Sequence, residues 1–176
     1  MPTHFEYETA RFRIRPAVVG DLPALEHAVS SSAFPQDLPL ARFFKAGELS
    51  RWLEKSCMYD VEPKLWSITR RSSQECIGQI ALFPVGTPGT HWLSYWVAPE
   101  CWAQGIAKEC VATLLRGHAA TSKHHVVVAA VAESNPRSIS VLRGLGFQQT
   151  TAPLTTSPIP PGHMCFSLEL GVANAA

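Results

Sequence analysis

The feature of this sequence that most constrains its fold is a glycine turn between an apolar strand and a helix. Residues 91–97 predict a strand, and the helix that follows opens around Gln104, Gly105, Ile106 and Ala107. The first amides of a helix have no internal acceptor, and the helix dipole favours negative charge there. Because Gly105 has no Cβ and Ala107 has only a methyl group, a phosphate can reach those amides. The turn therefore predicts an anion site, although small residues would equally suit close packing of the helix on a sheet.

The elements around this turn predict a mixed α/β chain. Strands are expected over residues 11–14, 66–69, 76–83, 91–97, 126–131, 147–150 and 164–170. Helices are expected from 22, over 41–55, over 102–119 and from 136. We expect Asp21 and Asn135 to cap the first and last of these helices, and Gly146 to end the last one in a left-handed conformation.

Composition excludes several classes of function. A chain of 176 residues with 46% hydrophobic residues suits one domain with a sizeable core. Only 16% of the residues are charged and the net charge is +1, without the basic excess of a nucleic-acid binder. No apolar stretch is long enough to span a bilayer, and residues 1–15 lack the apolar core of a signal peptide. We therefore expect a cytoplasmic protein that binds neither nucleic acid nor membrane.

The cysteines and histidines do not predict a disulfide framework or a metal. The five cysteines are an odd number without a CxxC pair, and the seven histidines are mostly scattered, without an HExxH spacing. We interpret the cysteines as reduced and mostly buried, and we expect no metal site.

A second motif follows the strand at 126–131. It matches the pattern Asn-x-x-Ser-x-x-x-Leu-x-x-x-Gly-Phe at Asn135, Ser138, Leu142, Gly146 and Phe147. The glycine turn matches the pattern Arg/Gln-x-x-Gly-x-Gly/Ala in all but its first position. These two motifs in this order, with a strand between them, resemble the GNAT superfamily of N-acetyltransferases.

The resemblance covers roughly residues 76–150 and implies a GNAT-like α/β (α+β) fold. The run from Arg11 to Pro16 is also typical of the family. The implied sheet is mixed and mostly antiparallel, with about six to seven strands, a central splayed parallel pair and about four flanking helices. It would be one acyl-CoA N-acyltransferase domain over 1–176, whose first half recognises the acceptor and whose residues 76–150 form the CoA-binding core. A Rossmann dinucleotide site is disfavoured, because its glycine turn follows the first strand.

The first position of the glycine motif is Trp102, which removes one side-chain donor and leaves the backbone amides to bind phosphate. Trp followed by a small residue and Gln-Gly-Ile-Ala is similar to the branch that acetylates ribosomal-protein N-termini, the RimJ/RimL type. This branch implies acetyl transfer from acetyl-CoA to a primary amine such as a protein N-terminus, and its members often form homodimers. The alternatives are acetylation of a small-molecule amine (a polyamine, amino acid or antibiotic) and a non-catalytic acyl-CoA-binding module.

The resemblance also implies where the cofactor lies. In the family the pantetheine arm of acetyl-CoA enters the gap between two splayed strands, which are residues 95–97 and 126–131 in this sequence. A backbone N–H of the first strand is the expected donor to the thioester carbonyl. The implied cofactor contacts are Trp96, Val97, Trp102, Gln104, Gly105, Ile106, Ala107, Asn135 and Ser138. Asn135 and Ser138 would also suit plain capping of a helix start.

Catalysis in the family is a direct attack of the amine on the thioester, without a covalent enzyme intermediate. Many members have a tyrosine as general acid on the helix of the second motif, but Tyr7, Tyr59 and Tyr95 all lie upstream of it. Ser138 is therefore the expected contact to the CoA sulfur. Glu133, just past the central strand, is the candidate general base, although an exposed loop carboxylate with water as the base fits as well.

Three further sets of residues are weaker candidates. His91 opens the strand before the glycine turn, where a neutral imidazole could accept a proton. Cys101 and Cys110 have nothing in the sequence that would activate them as nucleophiles. Aromatic residues are candidate walls of an acceptor pocket, or else core: Phe43, Phe44, Trp52, Trp92 and Trp96.

Overall fold

The chain folds as one open sheet with helices packed on it, in a computed structural model that describes residues 5–36, 38–57, 64–120, 125–151 and 159–171. The strands are β1 Tyr7–Glu8, β2 Phe12–Pro16, β3 Lys64–Arg70, β4 Cys76–Pro84, β5 Thr90–Val97, β6 His125–Ala132, β7 Gln148–Thr150 and β8 His163–Leu170. The α-helices are α1 Leu22–Ser30, α2 Pro39–Lys45, α3 Leu49–Cys57, α4 Ile106–Ala120 and α5 Pro136–Gly144. The strands are ordered β1-β2-β3-β4-β5-β6-β8-β7 across the sheet.

The predicted fold class is confirmed, with differences in the number and bounds of the elements. The sheet is mostly antiparallel with one parallel pair, β5 and β6. The described ranges contain eight strands in place of about six to seven, because β1 is a two-residue strand defined only by its pairing with β2. They contain five α-helices in place of about four, since the predicted helix over 41–55 is interrupted at Gly47, where φ is +69°.

The parallel pair opens towards its carboxyl end. Strand β5 pairs with β6 only over residues 90–92, opposite 126–128. Beyond that point β5 stays paired with β4 as far as Val97, and β6 stays paired with β8 as far as Ala132. Residues 93–97 and 129–132 therefore bound a gap, which we call the splay. The backbone groups on these facing edges are directed into the gap rather than into a shared ladder.

The core fixes the helix that borders the splay. Helix α4 buries a stripe of residues spaced by one helical turn, namely Ile106, Cys110, Val111, Leu114 and Leu115. Each fully buried aliphatic side chain of this kind contributes about 1.5–3 kcal/mol. The start of α4 is therefore held in place by packing against the sheet.

Asp21 directly precedes α1 as predicted, but its side chain does not cap the helix. Its carboxylate accepts hydrogen bonds from Arg15 Nη2 at 2.6 Å, Ser67 Oγ at 2.7 Å and the backbone N–H of Val18 at 3.0 Å. Burial alone would raise the pKa of Asp21, but these bonds and the Arg15 charge outweigh it and lower the pKa. The predicted capping bond is wrong because side chains from β2 and β3 bind this carboxylate instead.

The carboxylate begins a buried polar chain made of Arg15, Asp21, Ser67, Gln79 and Trp96. Gln79 Nε2 donates to Ser67 Oγ at 3.3 Å, and Trp96 Nε1 donates to Gln79 Oε1 at 3.3 Å. Asp21, Ser67, Gln79 and Trp96 are all buried, so each polar group needs the partner it has. The buried polar chain links β2, β3, β4 and β5 and ends at the edge of the splay.

Candidate active site

Helix α4 begins at the predicted glycine turn, at Ile106 rather than at 102. Its first intrahelical bond runs from Glu109 N to Gly105 O at 3.0 Å, so the amides of Ile106 and Ala107 have no acceptor within the helix. Gly105 has a φ of +72°, and a Cβ built on it would meet no atom within 4 Å beyond its chain neighbours. Ala103 also has a left-handed φ, of +60°, at a cost of about 1 kcal/mol. The turn thus leaves helix-start amides open to an anion.

Arg11, which precedes β2, holds the glycine turn in place. Its Nη2 donates to Gln104 O at 3.1 Å, and its Nε donates to Glu109 Oε2 at 3.0 Å. One guanidinium therefore fixes the turn relative to the first turn of α4. This contact gives a physical reason for the arginine-rich segment that the resemblance includes, although sequence reasoning assigns Arg11 no role.

Trp102 connects the glycine turn to β5 and to α5. Its Nε1 donates to Val97 O at 2.7 Å, at the end of β5. The guanidinium carbon of Arg137, on α5, lies 3.9 Å from the centre of the Trp102 ring, within cation–π range. The indole thus uses its donor on the backbone and holds an arginine beside the turn. Sequence reasoning misses Arg137, because the two residues lie on different elements and share no local pattern.

Trp96 and Val97 lie on the β5 edge of the splay. The Trp96 ring meets the Phe34 ring edge-on, with centroids 6.0 Å apart. Opposite this segment, a Cβ on Gly78 would lie 2.5 Å from Trp96 O, so only glycine lets β4 pair this closely with β5. The predicted role of Trp96 and Val97 uses their backbone, and these contacts hold that backbone in place.

Asn135 and Ser138 form the start of α5, directly after β6. The predicted cap is confirmed, since Asn135 Oδ1 accepts from Ser138 N at 3.1 Å. The Ser138 hydroxyl meets β5, where Tyr95 Oη lies 2.7 Å from Ser138 Oγ. The Ser138 carbonyl oxygen is a second acceptor near this phenol, 3.3 Å from Tyr95 Oη. Burial raises the pKa of Tyr95 to about 12, against a lowering by its bond to Ser138.

Tyr95 is a residue that sequence reasoning misses. It lies upstream of the second motif, as do Tyr7 and Tyr59, the last of which is outside the described residues. The crossover from β5 through α4 and β6 nevertheless brings α5 back over β5. Strand alternation places Tyr95 on the face opposite Trp96, but only the topology shows that Ser138 lies there.

The fold separates the two candidate bases. Glu133 directly follows β6 at the open end of the splay and is exposed, with its backbone N–H donating to Gly162 O at 2.9 Å. His91 lies in the paired part of β5, and its ring meets the His118 ring with centroids 5.2 Å apart. At about 3.3 Å per residue, His91 is roughly 13 Å along the strand from Tyr95. The structure therefore does not bring His91 to Ser138.

The aromatic candidates of the first half contribute to helix packing. Phe43 of α2 and Trp52 of α3 stack with centroids 5.6 Å apart and an angle of 19° between the rings. Phe44 on α2 is exposed, and Trp92 on β5 is half-buried. The stacked pair joins α2 to α3 across the break at Gly47, which is a core role.

The cysteines are free thiols held in their protonated form. All five are unpaired with one another. Burial raises the pKa of Cys110 to about 12 and also raises the pKa of Cys101, so neither is a thiolate at neutral pH. Within the described ranges, no three His, Cys, Asp or Glu side chains are grouped so as to hold a metal ion. No helix in that part of the chain is long and apolar enough to cross a membrane.

A splayed parallel pair beside a helix that starts at a glycine turn is the arrangement of an acyl-CoA-dependent acetyltransferase fold. The sequence matches the family model of the acetyltransferase (GNAT) domain over residues 11–148. The chain therefore belongs to the GNAT family of acyl-CoA-dependent N-acetyltransferases. A comparison with curated protein sequences gives no significant match.

Solved structures share this fold along most of the chain. RimL, a ribosomal L7/L12 alpha-N-protein acetyltransferase in complex with Coenzyme A, has a TM-score of 0.77 at 15% identity, covering 96% of this chain and 99% of that chain. A spermidine N-acetyltransferase SpeG chimera from Vibrio cholerae and hSSAT has a TM-score of 0.71 at 16% identity, covering 92% and 96%. Mycobacterium smegmatis RimJ in complex with CoA-disulfide has a TM-score of 0.69 at 18% identity, covering 90% and 81%. At these identities the likeness shows the fold alone.

Proposed function

We propose that this protein transfers an acetyl group from acetyl-CoA directly to a primary amine, and that this amine is the N-terminus of a protein. The observation that carries the proposal is the splay and what borders it. On one side the turn at Gly105 leads into α4 and its open amides, and on the other side Asn135 and Ser138 lie at the start of α5. A narrow gap between an anion site and a hydroxyl suits a cofactor with a pyrophosphate and a thioester joined by a thin arm.

The cofactor contacts are proposed at residues that lie around the splay. The pyrophosphate is assigned to the glycine turn, which consists of Trp102, Gln104, Gly105, Ile106 and Ala107. The pantetheine arm is assigned to the backbone of Trp96 and Val97 and to the side chain of Asn135. Because Asn135 uses Oδ1 for the helix cap, its amide nitrogen has donors left for the arm.

The chemistry needs a neutral amine, a polarised carbonyl and a stabilised leaving sulfur. In the proposed step the amine nitrogen bonds to the carbonyl carbon, the carbon–sulfur bond breaks, and its electron pair leaves on sulfur. The nitrogen loses one proton and the sulfur gains one. A backbone N–H of Trp96 or Val97 polarises the carbonyl, Ser138 contacts the sulfur, and Glu133 accepts the amine's proton directly or through water.

The acceptor is proposed from Trp102 and the turn that follows it. Their pattern is similar to that of the RimJ/RimL branch, and RimL and RimJ are among the solved structures that share this fold. The comparable likeness to a spermidine N-acetyltransferase makes a polyamine the second candidate.

Two measurements test the proposal in order. Calorimetric titration with acetyl-CoA should show binding in the micromolar range, and no binding at high micromolar concentration would contradict the cofactor assignment. Release of free CoA is then followed with a lysine-free peptide, with the same peptide blocked at its N-terminus, and with spermidine and free amino acids. Release with the free peptide alone supports the proposed acceptor. Release with a small amine alone would replace it, and binding without any release would indicate a non-catalytic acyl-CoA-binding protein.

A further inference from the structure

Strand β5 and helix α5 meet across the splay through Tyr95 and Ser138. Tyr95 Oη is 2.7 Å from Ser138 Oγ and 3.3 Å from Ser138 O. Tyr95 lies in the part of β5 that has left β6, where its backbone is held by pairing with Ile80 of β4. Ser138 is held from the other side by the cap bond to Asn135. Each partner is therefore anchored by its own element, so the contact between them is set by the fold.

We propose that Tyr95 is a positioning residue for the transfer reaction: its hydroxyl donates to Ser138 Oγ, which leaves the Ser138 proton free to be directed at the leaving sulfur. This inference rests on the proposed function and deepens it. It assigns to β5 the phenol that the helix of the second motif lacks.

The proposal assigns the donor role in this pair to Tyr95 on the two distances around its hydroxyl. A phenol has one proton, and the Ser138 oxygen at 2.7 Å is a closer acceptor than the carbonyl at 3.3 Å. Burial raises the pKa of Tyr95 to about 12, so the phenol keeps its proton at neutral pH and remains able to donate. With its lone pair engaged by Tyr95, the Ser138 hydroxyl has its own proton to offer elsewhere.

The role of this pair in the step is to stabilise negative charge on sulfur. As the carbon–sulfur bond breaks, the electron pair on sulfur accepts a hydrogen bond from Ser138 Oγ–H, and the proton that sulfur finally gains balances the one lost by the amine. The phenol stays protonated throughout. Because hydrogen bonds in a chain polarise one another, the donation from Tyr95 makes the Ser138 proton a better donor.

The test measures the acidity of the CoA thiol bound to the protein, which needs no acceptor amine. A hydrogen bond to a charged form favours that form, so Ser138 backed by Tyr95 should make the bound thiol more acidic. The thiolate is followed by its ultraviolet absorbance in a pH titration of the CoA complex. Tyr95→Phe and Ser138→Ala should each reduce the acid dissociation constant of the bound thiol about tenfold relative to the unmodified protein. The double variant should lose no more than Ser138→Ala alone.

The control is Tyr7→Phe, which removes the same hydroxyl from a half-buried tyrosine on β1 that packs against Gly117 of α4. It should leave the thiol acidity unchanged. A normal thiol acidity in Tyr95→Phe, even with a lower melting temperature, would reduce Tyr95 to a packing residue and overturn the inference. An equal loss on adding Tyr95→Phe to Ser138→Ala would also overturn it, since Tyr95 would then not act through Ser138. Absence of CoA binding in calorimetry would instead overturn the proposed function, and this inference with it.

Discussion

Strand β5 carries two different kinds of polar contact on its two faces. On the face towards α5, Tyr95 makes a neutral hydrogen bond to Ser138 on another layer of the fold. On the opposite face, Trp96 ends the buried polar chain, which reaches the ion pair of Asp21 and Arg15 through neighbouring strands. One face of β5 thus ends a network that holds four strands together, and the other face contacts the helix to which we assign the reacting sulfur. Both contacts lie beside the splay, but only the one at Trp96 leads to a buried charge.

The largest expected effect comes from breaking the ion pair of Asp21 and Arg15, at the far end of the buried polar chain. The Asp21 side chain is only 4% exposed in the folded protein. Asp21→Asn replaces its carboxylate with a neutral carboxamide and leaves the Arg15 guanidinium without its counter-charge. We expect a loss of about 3 kcal/mol in the free energy of unfolding, measured by urea titration. The control is Glu75→Gln, because Glu75 pairs with Arg70 while 62% exposed and should cost less than about 1 kcal/mol. Equal losses in the two variants would show that the buried ion pair of Asp21 and Arg15 stabilises the fold no more than an exposed one.

The same carboxylate predicts a dependence of stability on pH. The folded state lowers the pKa of Asp21, because bonds from Arg15, Ser67 and Val18 outweigh the raising effect of burial. Its contribution is therefore fully present above the unfolded pKa of about 3.9 and is lost as pH falls below that value through the folded pKa. Urea titrations across this acidic range should show a steeper loss for the unmodified protein than for Asp21→Asn. Parallel pH profiles would contradict the assignment.

A smaller effect, on binding rather than on stability, is expected at the glycine turn. Gly105→Ala places a methyl group in front of the helix-start amides at a φ of +72°. We expect KM for acetyl-CoA to rise about tenfold, a loss of roughly 1.4 kcal/mol of binding, with kcat largely kept. Gly47→Ala is the matched control, since its φ is +69° and its surroundings are equally open, but it lies between α2 and α3. An equal rise in KM in both variants would show that backbone strain, and not a phosphate, is responsible.

The smallest effect is expected at Trp102. Trp102→Phe loses the 2.7 Å bond to Val97 O but keeps an aromatic face for Arg137. One neutral hydrogen bond is worth about 1 kcal/mol, so the Kd of CoA measured by calorimetry should rise only a few-fold. Trp52→Phe on α3 is the control and should leave the Kd unchanged. An equal Kd of CoA in the two variants would show that the bond from Trp102 does not support cofactor binding.

Sequence reasoning succeeds where the cause of a structure lies within a few residues. The cap of α5 depends on Asn135 and a backbone N–H three positions later, and the end of α5 depends on Gly146 with its φ of +89°. The glycine turn at Gly105 is equally local. The break between α2 and α3 also has a local signal, the glycine at position 47. The prediction misses it because the apolar periodicity continues over 41–55.

The rest could not be predicted because its causes are distant in the chain. Tyr95 and Ser138 are separated by 43 residues, and Asp21 and Ser67 by 46. The neighbours of Asp21 predict a helix cap, but Arg15 of β2 and Ser67 of β3 bind its carboxylate instead. Tyr95, which lies upstream of the second motif, likewise meets Ser138 only because the crossover returns α5 over β5. Local patterns locate the elements of the site, and topology decides which side chains meet.

We propose above that acetyl-CoA lies in the splay, with its two ends at the starts of α4 and α5. A crystal structure of the protein with CoA tests it most directly. We predict the pyrophosphate on the amides of Ile106 and Ala107, the pantetheine arm along Trp96 and Val97, and the sulfur within hydrogen-bond distance of Ser138 Oγ. CoA bound outside the gap between β5 and β6, or with its sulfur turned away from α5, would contradict the account.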